Sequence, residues 1–307
     1  MYDTAVLTKE GAFLESVPSL LYGIKEHQTE NQYFISGHTK GGQQVWVFED
    51  NIKFKGSLCK LYLGDNIKSI GRSDTQRAIE CLSDTLGVNF YDAEVTQLDV
   101  GLTIQTNYKS SAYYPLLGAS GQYQRTIYKN SLYWKVEQRE NIMYDKKKDA
   151  IAKGMSIPDF LINQNLSRFE TKLKKKILNQ LNRASLKASD LYQETFYMSM
   201  LDNWYSEYRN IKKITCMQID KNTIKKPSDL ADQILANLLQ ASGQDIQSGI
   251  DTLLTQAKAM NVFQGANPSR DYQRAKESLQ KRLSAGAESE LIKELDKKFS
   301  EHIKFYR

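Results

Sequence analysis

At 307 residues and 35.2 kDa the chain is long enough for two domains and for a core that needs neither disulfides nor a structural metal. Its 40% hydrophobic and 25% charged residues lie near the globular average, which excludes a disordered or collagen-like chain. No apolar run is long enough to span a bilayer. The net charge of +6 is modest but uneven, because residues 125–187 hold 15 Lys and Arg against 6 Asp and Glu. That basic stretch, rich in tyrosine, suits a polyanion such as nucleic acid and equally a solvated lysine face.

The start, Met1-Tyr2-Asp3-Thr4, has neither a basic nor an apolar targeting stretch, so a cytoplasmic protein is expected. Cys59, Cys81 and Cys216 form no CxxC pair and read as reduced thiols. Residues 2–8, 32–36 and 44–48 carry short runs of β-branched and aromatic residues and predict strands, with Gly41-Gly42 as a turn. Residues 73–86 have a helical period: Ser73 or Asp74 can cap the start, Ile79, Leu82 and Leu86 share a face, and Gly87 supplies a left-handed stop.

A strand at 95–104 alternates, with Leu98, Val100, Leu102 and Ile104 on one face and Gln97, Asp99, Gly101 and Thr103 on the other. At 166–173 Phe169, Thr171 and Leu173 oppose Arg168, Glu170 and Lys172 in the same way. Both strands are expected to offer a carboxylate outward. Between them lie a hairpin (123–128 with 132–135) and a strand at 142–146. Further on, Tyr197, Leu201, Trp204 and Tyr208 mark the buried face of a helix expected to start near Ser189. A linker at Lys225-Lys226-Pro227-Ser228 then precedes four helices broken at Gly243, near Asn267-Pro268 and at Gly286. The expected division is a domain over residues 1–215 and an all-helical C-terminal subdomain over 216–307.

No GxxxxGK[ST], GxGxxG or HExxH is present, and His27, His38 and His302 lie far apart. Kinase, dehydrogenase, zinc-protease and P-loop helicase readings lose their support. Strand carboxylates, a basic surface and many tyrosines remain, and these can carry metal-assisted phosphoryl transfer from DNA to a tyrosine hydroxyl. Two carboxylates on neighbouring strands can hold Mg²⁺ or Mn²⁺, a tyrosine can attack, and Lys or Arg can offset the developing charge. A strand carboxylate facing away from the core is also commonly just solvated, so spacing alone leaves both readings open.

Several segments, in order, resemble the phage and plasmid replication initiators related to the filamentous-phage replication endonuclease. They are Met1-Tyr2-Asp3-Thr4, Gly56-Ser57-Leu58 with Gly64-Asp65-Asn66, Thr96-Gln97-Leu98-Asp99-Val100, Leu132-Tyr133-Trp134-Lys135, Tyr144-Asp145-Lys146-Lys147-Lys148, Arg168-Phe169-Glu170, and the helix bearing Leu191-Tyr192 through Trp204 and Tyr208. The resemblance covers roughly residues 1–215. It implies an α+β protein with an antiparallel, palm-like sheet and packed helices. It also implies a rolling-circle initiator that nicks one strand, stays on the 5′ end through phosphotyrosine and frees a 3′ hydroxyl. The related HUH endonucleases use a His-hydrophobic-His triplet, which this sequence lacks, so the metal would be held by carboxylates. The alternative is an origin-binding protein or helicase recruiter without catalysis.

Under the resemblance Asp99, Glu170 and Asp145 are the candidate metal ligands, and Mg²⁺ or Mn²⁺ the cofactor. Lys146 and Arg168 are candidates for contacting the phosphate, or else counter-ions of their neighbours. For the nucleophile the order is Tyr192, then Tyr197, then Tyr205: Tyr192 falls near a helix start, while Tyr197 and Tyr208 align with the buried stripe. Tyr144 is a further candidate, although in the family motif it resembles a strand residue packing beside the site. On the hairpin Tyr123, Arg125, Tyr128, Lys129, Tyr133, Trp134 and Lys135 interleave aromatic and basic side chains, a pattern that suits single-stranded DNA and equally a hairpin of good strand formers. Further candidate DNA contacts are Lys147, Lys148, Lys172 and Lys174. Expected partners are origin DNA, single-stranded or cruciform, and a host helicase. A monomer or dimer in the bacterial host cytoplasm, with no membrane association, completes the expectation.

Overall fold

The computed structural model describes residues 1–30, 32–213, 260, 268–284 and 290–307. The chain divides into two compact units, one of Met1–Tyr114, Ala119–Lys212 and Asp296–Arg307, the other of Pro115–Gly118 and Lys213–Leu295. The expected linker at 225–228, the break at Gly243 and Cys216 lie outside the described residues. In the second unit helix α6 (Pro268–Ser284) starts at the expected proline.

The first unit is a mixed α/β body around one sheet. Ten strands among the described residues run in the order β2-β3-β4-β5-β1-β6-β10-β9-β8-β7, every neighbouring pair antiparallel. The strands are β1 (Tyr2–Glu10), β2 (Tyr22–Gln28), β3 (Tyr33–His38), β4 (Gln44–Phe48), β5 (Asn51–Ser57), β6 (Glu94–Thr106), β7 (Gln124–Tyr128), β8 (Ser131–Lys135), β9 (Arg139–Asp145) and β10 (Asn165–Leu173). The path repeats. β1 is followed by a meander, β2 to β5, that returns to pair with it, and β6 by a meander, β7 to β10, that does the same. The two leading strands meet at the centre, with Tyr2 opposite Val100 and Ala5 opposite Leu98. Two short helices, α1 (Leu58–Leu63) and α4 (Ile177–Gln180), follow the returning strands β5 and β10.

Alternation places the core. Leu98, Val100, Leu102, Phe169 and Leu173 are buried on one face, which packs against α5 (Glu194–Asn210). There the rings of Trp204 and Tyr208 lie 5.6 and 5.8 Å from Phe169, and the Trp204 indole donates to the Phe169 carbonyl at 3.1 Å. Helix α7 (Glu290–Tyr306) brings Phe299 to 4.5 Å from the Tyr208 ring. The sequence put these residues with the C-terminal helices, whereas the ring contacts of Phe299 are with the first unit.

The opposite face carries α3 (Lys146–Ala152) and a small apolar cluster of Ile67, Ala150, Leu161 and Leu166. The predicted helix at 73–86 is α2 (Arg72–Leu86), with Gly71 at its N-cap, Asp74 Oδ2 accepting from the Gly71 amide, and Gly87 left-handed at φ 61°. The helix expected from Ser189 begins instead at Glu194, because Ala188–Tyr192 form a 3-10 turn. β2 was not anticipated, since Tyr22-Gly23-Ile24-Lys25-Glu26 lies exposed at the sheet edge and shows no buried alternation. No described helix is long and apolar enough to cross a membrane.

Candidate active site

The register of the polar face reads as a grid. One row runs Asp99, Lys172, Glu140, Lys135 from β6 to β8, and the next runs Gly101, Glu170, Ile142, Tyr133. A third runs Thr103, Arg168, Tyr144, Ser131 and on to Tyr128 of β7. Above the grid is a pocket of about 400 Å³ whose walls include Asp3, Asp99, Glu170, Lys172, Tyr133 and Tyr144. Lys129 and Asn130 of the hairpin and Asp145, Lys148 and Lys153 around α3 also line it.

The expected outward carboxylate of Glu170 is covered instead, together with Arg168. Arg168 is wholly buried and Glu170 only 4% exposed, because α3, Asn66 and the cluster around Ile67 cover this part of the face. Burial without partners would be costly, and the partners are present. Arg168 Nε donates to Glu170 Oε1 at 2.6 Å, Nη1 to Thr103 Oγ1 at 3.0 Å and Nη2 to Asp3 Oδ2 at 3.1 Å. Asp3 also accepts from Ser57 Oγ at 2.5 Å and from Asn66 Nδ2 at 3.2 Å. Burial opposes the Asp3 charge, but Arg168, Lys146 and these hydrogen bonds outweigh it and hold the carboxyl at about 2.

The Tyr144 hydroxyl donates to the same Glu170 Oε1 at 2.7 Å. Burial, then the Glu170 charge, holds the phenol well above its ordinary value. Lys172 Nζ lies 3.8 Å from the other Glu170 oxygen. Gly101 makes the arrangement possible: a Cβ there would fall 2.6 Å from Glu170 Cγ and 3.2 Å from Arg168 Nε.

Asp99 differs from Asp3. It is half-buried, and burial, reinforced by Glu170 and Asp3 against the pull of Lys172, pushes its carboxyl up to about 7. A carboxylate with so little compensating charge is one that a cation would relieve. Among the described residues no group of three or more His, Cys, Asp or Glu side chains is placed to hold an ion. Asp99 and Glu170 line the same pocket, Glu170 with Oε1 engaged by Arg168 and Tyr144.

The remaining predicted residues sort by position. Asp145 caps α3, accepting from the Lys148 amide at 3.0 Å. Lys146 is not at a strand end but opens α3, buried, donating to Asn66 Oδ1 at 2.9 Å. Burial and Arg168, opposed by Asp3, lower it to about 8. Lys129, Tyr133, Lys148 and Lys172 line the pocket. Lys135 lies 4.1 Å from the Tyr133 ring and 3.6 Å from Glu140, and Lys174 lies 2.8 Å from Glu140. Lys147 is spent on the carbonyls of Ile162 and Gln164, each at 2.8 Å. Arg125 donates to the Tyr114 carbonyl at 2.8 Å. Trp134 is corrected: it is fully buried on the other face, 6.2 Å from the Phe169 ring, and stacks no base.

The structure does not bring Tyr192 or Tyr197 to the carboxylates. Tyr192 ends the 3-10 turn before α5, and burial, then Tyr91 and Glu80, raises its phenol. Tyr197 lies edge-on to Tyr2 at 5.9 Å, and Tyr2 pairs with Val100, on the core side of the sheet. Asp99 is on the opposite side. Sequence reasoning passed over Asp3, Asn66 and Gly101 as site residues and ranked Tyr144 below Tyr192 and Tyr197, although all but Gly101 sit in the quoted motifs.

Carboxylates, among them Asp3, Asp99 and Glu170, and the ammonium groups of Lys129, Lys148, Lys153 and Lys172 line one pocket beside the buried Tyr144 phenol. A family model for the N-terminal region of a phage replication-associated protein matches residues 17–207, more than half of the chain, which therefore belongs to this family of filamentous-phage replication initiators. The matched span contains every residue lining the pocket except Asp3 and Thr4. A search of curated proteins returned no match.

Proposed function

We propose that this protein starts rolling-circle replication by nicking one strand of its origin, with Tyr144 as the attacking group. The observation that carries the reading is the Tyr144 hydroxyl on Glu170 Oε1 at 2.7 Å, in the pocket that Asp99 also lines. The Tyr144 oxygen bonds to the scissile phosphorus while its proton passes to Glu170. The bond from phosphorus to the 3′ oxygen breaks, and that oxygen leaves with the electron pair and takes a proton from water. The products are a 5′ phosphotyrosine and a free 3′ hydroxyl for a polymerase.

Arg168, anchored on Asp3, fixes the orientation of Glu170. Lys172, beside the second Glu170 oxygen, and Lys148 on the pocket wall offset the charge of the phosphate. Mg²⁺ or Mn²⁺, for which Asp99 and Glu170 are the candidate donors, would supply Lewis-acid polarisation of the scissile phosphate.

The test is to incubate the protein with supercoiled origin DNA and magnesium, trim the denatured product with nuclease and locate the nucleotide by mass spectrometry. Nucleotide on Tyr144 supports the reading. Nucleotide on Tyr192 or Tyr197 moves the nucleophile across the sheet and refutes it. Origin binding with no nick under any metal favours the non-catalytic origin-binding alternative.

A further inference from the structure

The β7–β8 hairpin sets an exposed aromatic ring and a cation side by side at its tip. Tyr128, the last residue of the edge strand β7, leaves 60% of its surface in solvent. Lys129, which follows it, opens the two-residue hairpin turn and takes the positive φ of 53° that such a turn uses. That conformation carries the Lys129 ammonium to 5.5 Å from the centre of the Tyr128 ring. The tip is also anchored, since the Tyr114 hydroxyl donates to the Asn130 carbonyl at 2.7 Å.

Register fixes where this tip points. Tyr128 pairs with Ser131, and Ser131 with Tyr144, so all three occupy one row on the pocket side of the sheet. With strands about 4.8 Å apart, the Tyr128 backbone lies about 10 Å from that of Tyr144. Lys129, Asn130 and Ser131 already line the pocket, and Tyr128 flanks them outside it.

We infer that Tyr128 and Lys129 form a stacking platform for one unpaired base of the strand whose phosphate enters the pocket, the ring taking the base and the ammonium its backbone. A base still paired and stacked in a duplex presents no free face to this ring. The protein therefore takes the strand single-stranded at this position. This deepens the proposed nicking reaction and rests on it for the direction of the strand. Its test reads binding alone, so it can fail while nicking stands, and nicking can fail while it stands.

The experiment measures fluorescence anisotropy of the full chain with a short labelled oligothymidylate and with the same strand annealed to oligoadenylate. Tyr128→Ala should weaken the single strand about tenfold, the order expected for one lost base–aromatic stack. It should leave the duplex nearly unchanged, and Tyr128→Phe should bind as wild type. Lys129→Ala should lower the single-strand salt slope by about 0.7, the loss of one phosphate contact. Unaltered single-strand affinity in Tyr128→Ala would overturn the inference, as would an equal loss on duplex or in Tyr128→Phe. A change only in the protein's own association state would overturn it in favour of pairing between edge strands of two copies. Thermal melting of each variant confirms that the exposed substitutions leave the fold intact.

Discussion

Tyr144 and Arg168, neighbours across β9 and β10, both donate to one oxygen of Glu170, at 2.7 and 2.6 Å. A single carboxylate oxygen thus serves a fixed cation on one side and a transferable proton on the other. Arg168 stays charged, because Asp3 and Glu170 outweigh the burial that opposes its charge.

Tyr144→Phe removes only that hydroxyl. The variant is expected to bind DNA and form no covalent adduct, and to lose about 1 kcal/mol of stability with the buried hydrogen bond. Tyr192→Phe and Tyr197→Phe should both keep the adduct. Denaturing gels of labelled origin DNA, with urea titrations of each variant, read both effects.

Asp99→Asn should stabilise the metal-free protein at neutral pH while abolishing nicking. An unfolded aspartate titrates near 3.9, whereas this one is raised to about 7 by burial and the adjacent carboxylates. A raised carboxyl costs stability as pH climbs from about 4 to about 7, and the full cost persists above that. The wild-type melting temperature should therefore fall relative to the Asn variant across this window, and magnesium should narrow the gap. A constant difference between pH 4 and 8 would remove Asp99 from its strained position.

Asp3→Asn is expected to act in the opposite sense. A carboxyl held at about 2 contributes stability that is present above about 4 and is lost as pH falls toward 2. Removing it leaves Arg168 buried with one anion fewer, a change of the kind that costs about 3–5 kcal/mol. Urea unfolding at neutral pH measures that loss, and at pH 2 the two proteins should converge.

Gly101→Ala tests the space that Glu170 occupies. The added methyl would sit 2.6 Å from Glu170 Cγ, and overpacking of this kind costs about 1–3 kcal/mol. A folded variant that binds DNA and cleaves far more slowly is expected. Full activity would mean that the position of Glu170 does not matter to the reaction.

Much of this fold was legible because burial imposes a period. Leu98 to Ile104 and the stripe of Tyr197, Leu201, Trp204 and Tyr208 are buried as their spacing dictates. β2, exposed nearly throughout, carries no such period. The carboxylates Asp99 and Glu170 were legible as a pair on one face, since register follows from alternation. The covering of Arg168 was not, because it depends on Asn66 and α3, distant in sequence and polar in composition. Tyr144 was undervalued for the same reason. Beside lysines in sequence it reads as an ordinary strand residue, and only the pairing of β9 with β10 sets its hydroxyl on Glu170.

The repeated path of the sheet bears on when the protein becomes competent. Asp3 lies on the leading strand of one half and Glu170 on the returning strand of the other. The Arg168 side chain joins them only after the seam between β1 and β6 has closed. Folding of the second half alone sets Tyr144 beside Glu170 but leaves Arg168 without the Asp3 carboxylate that anchors it.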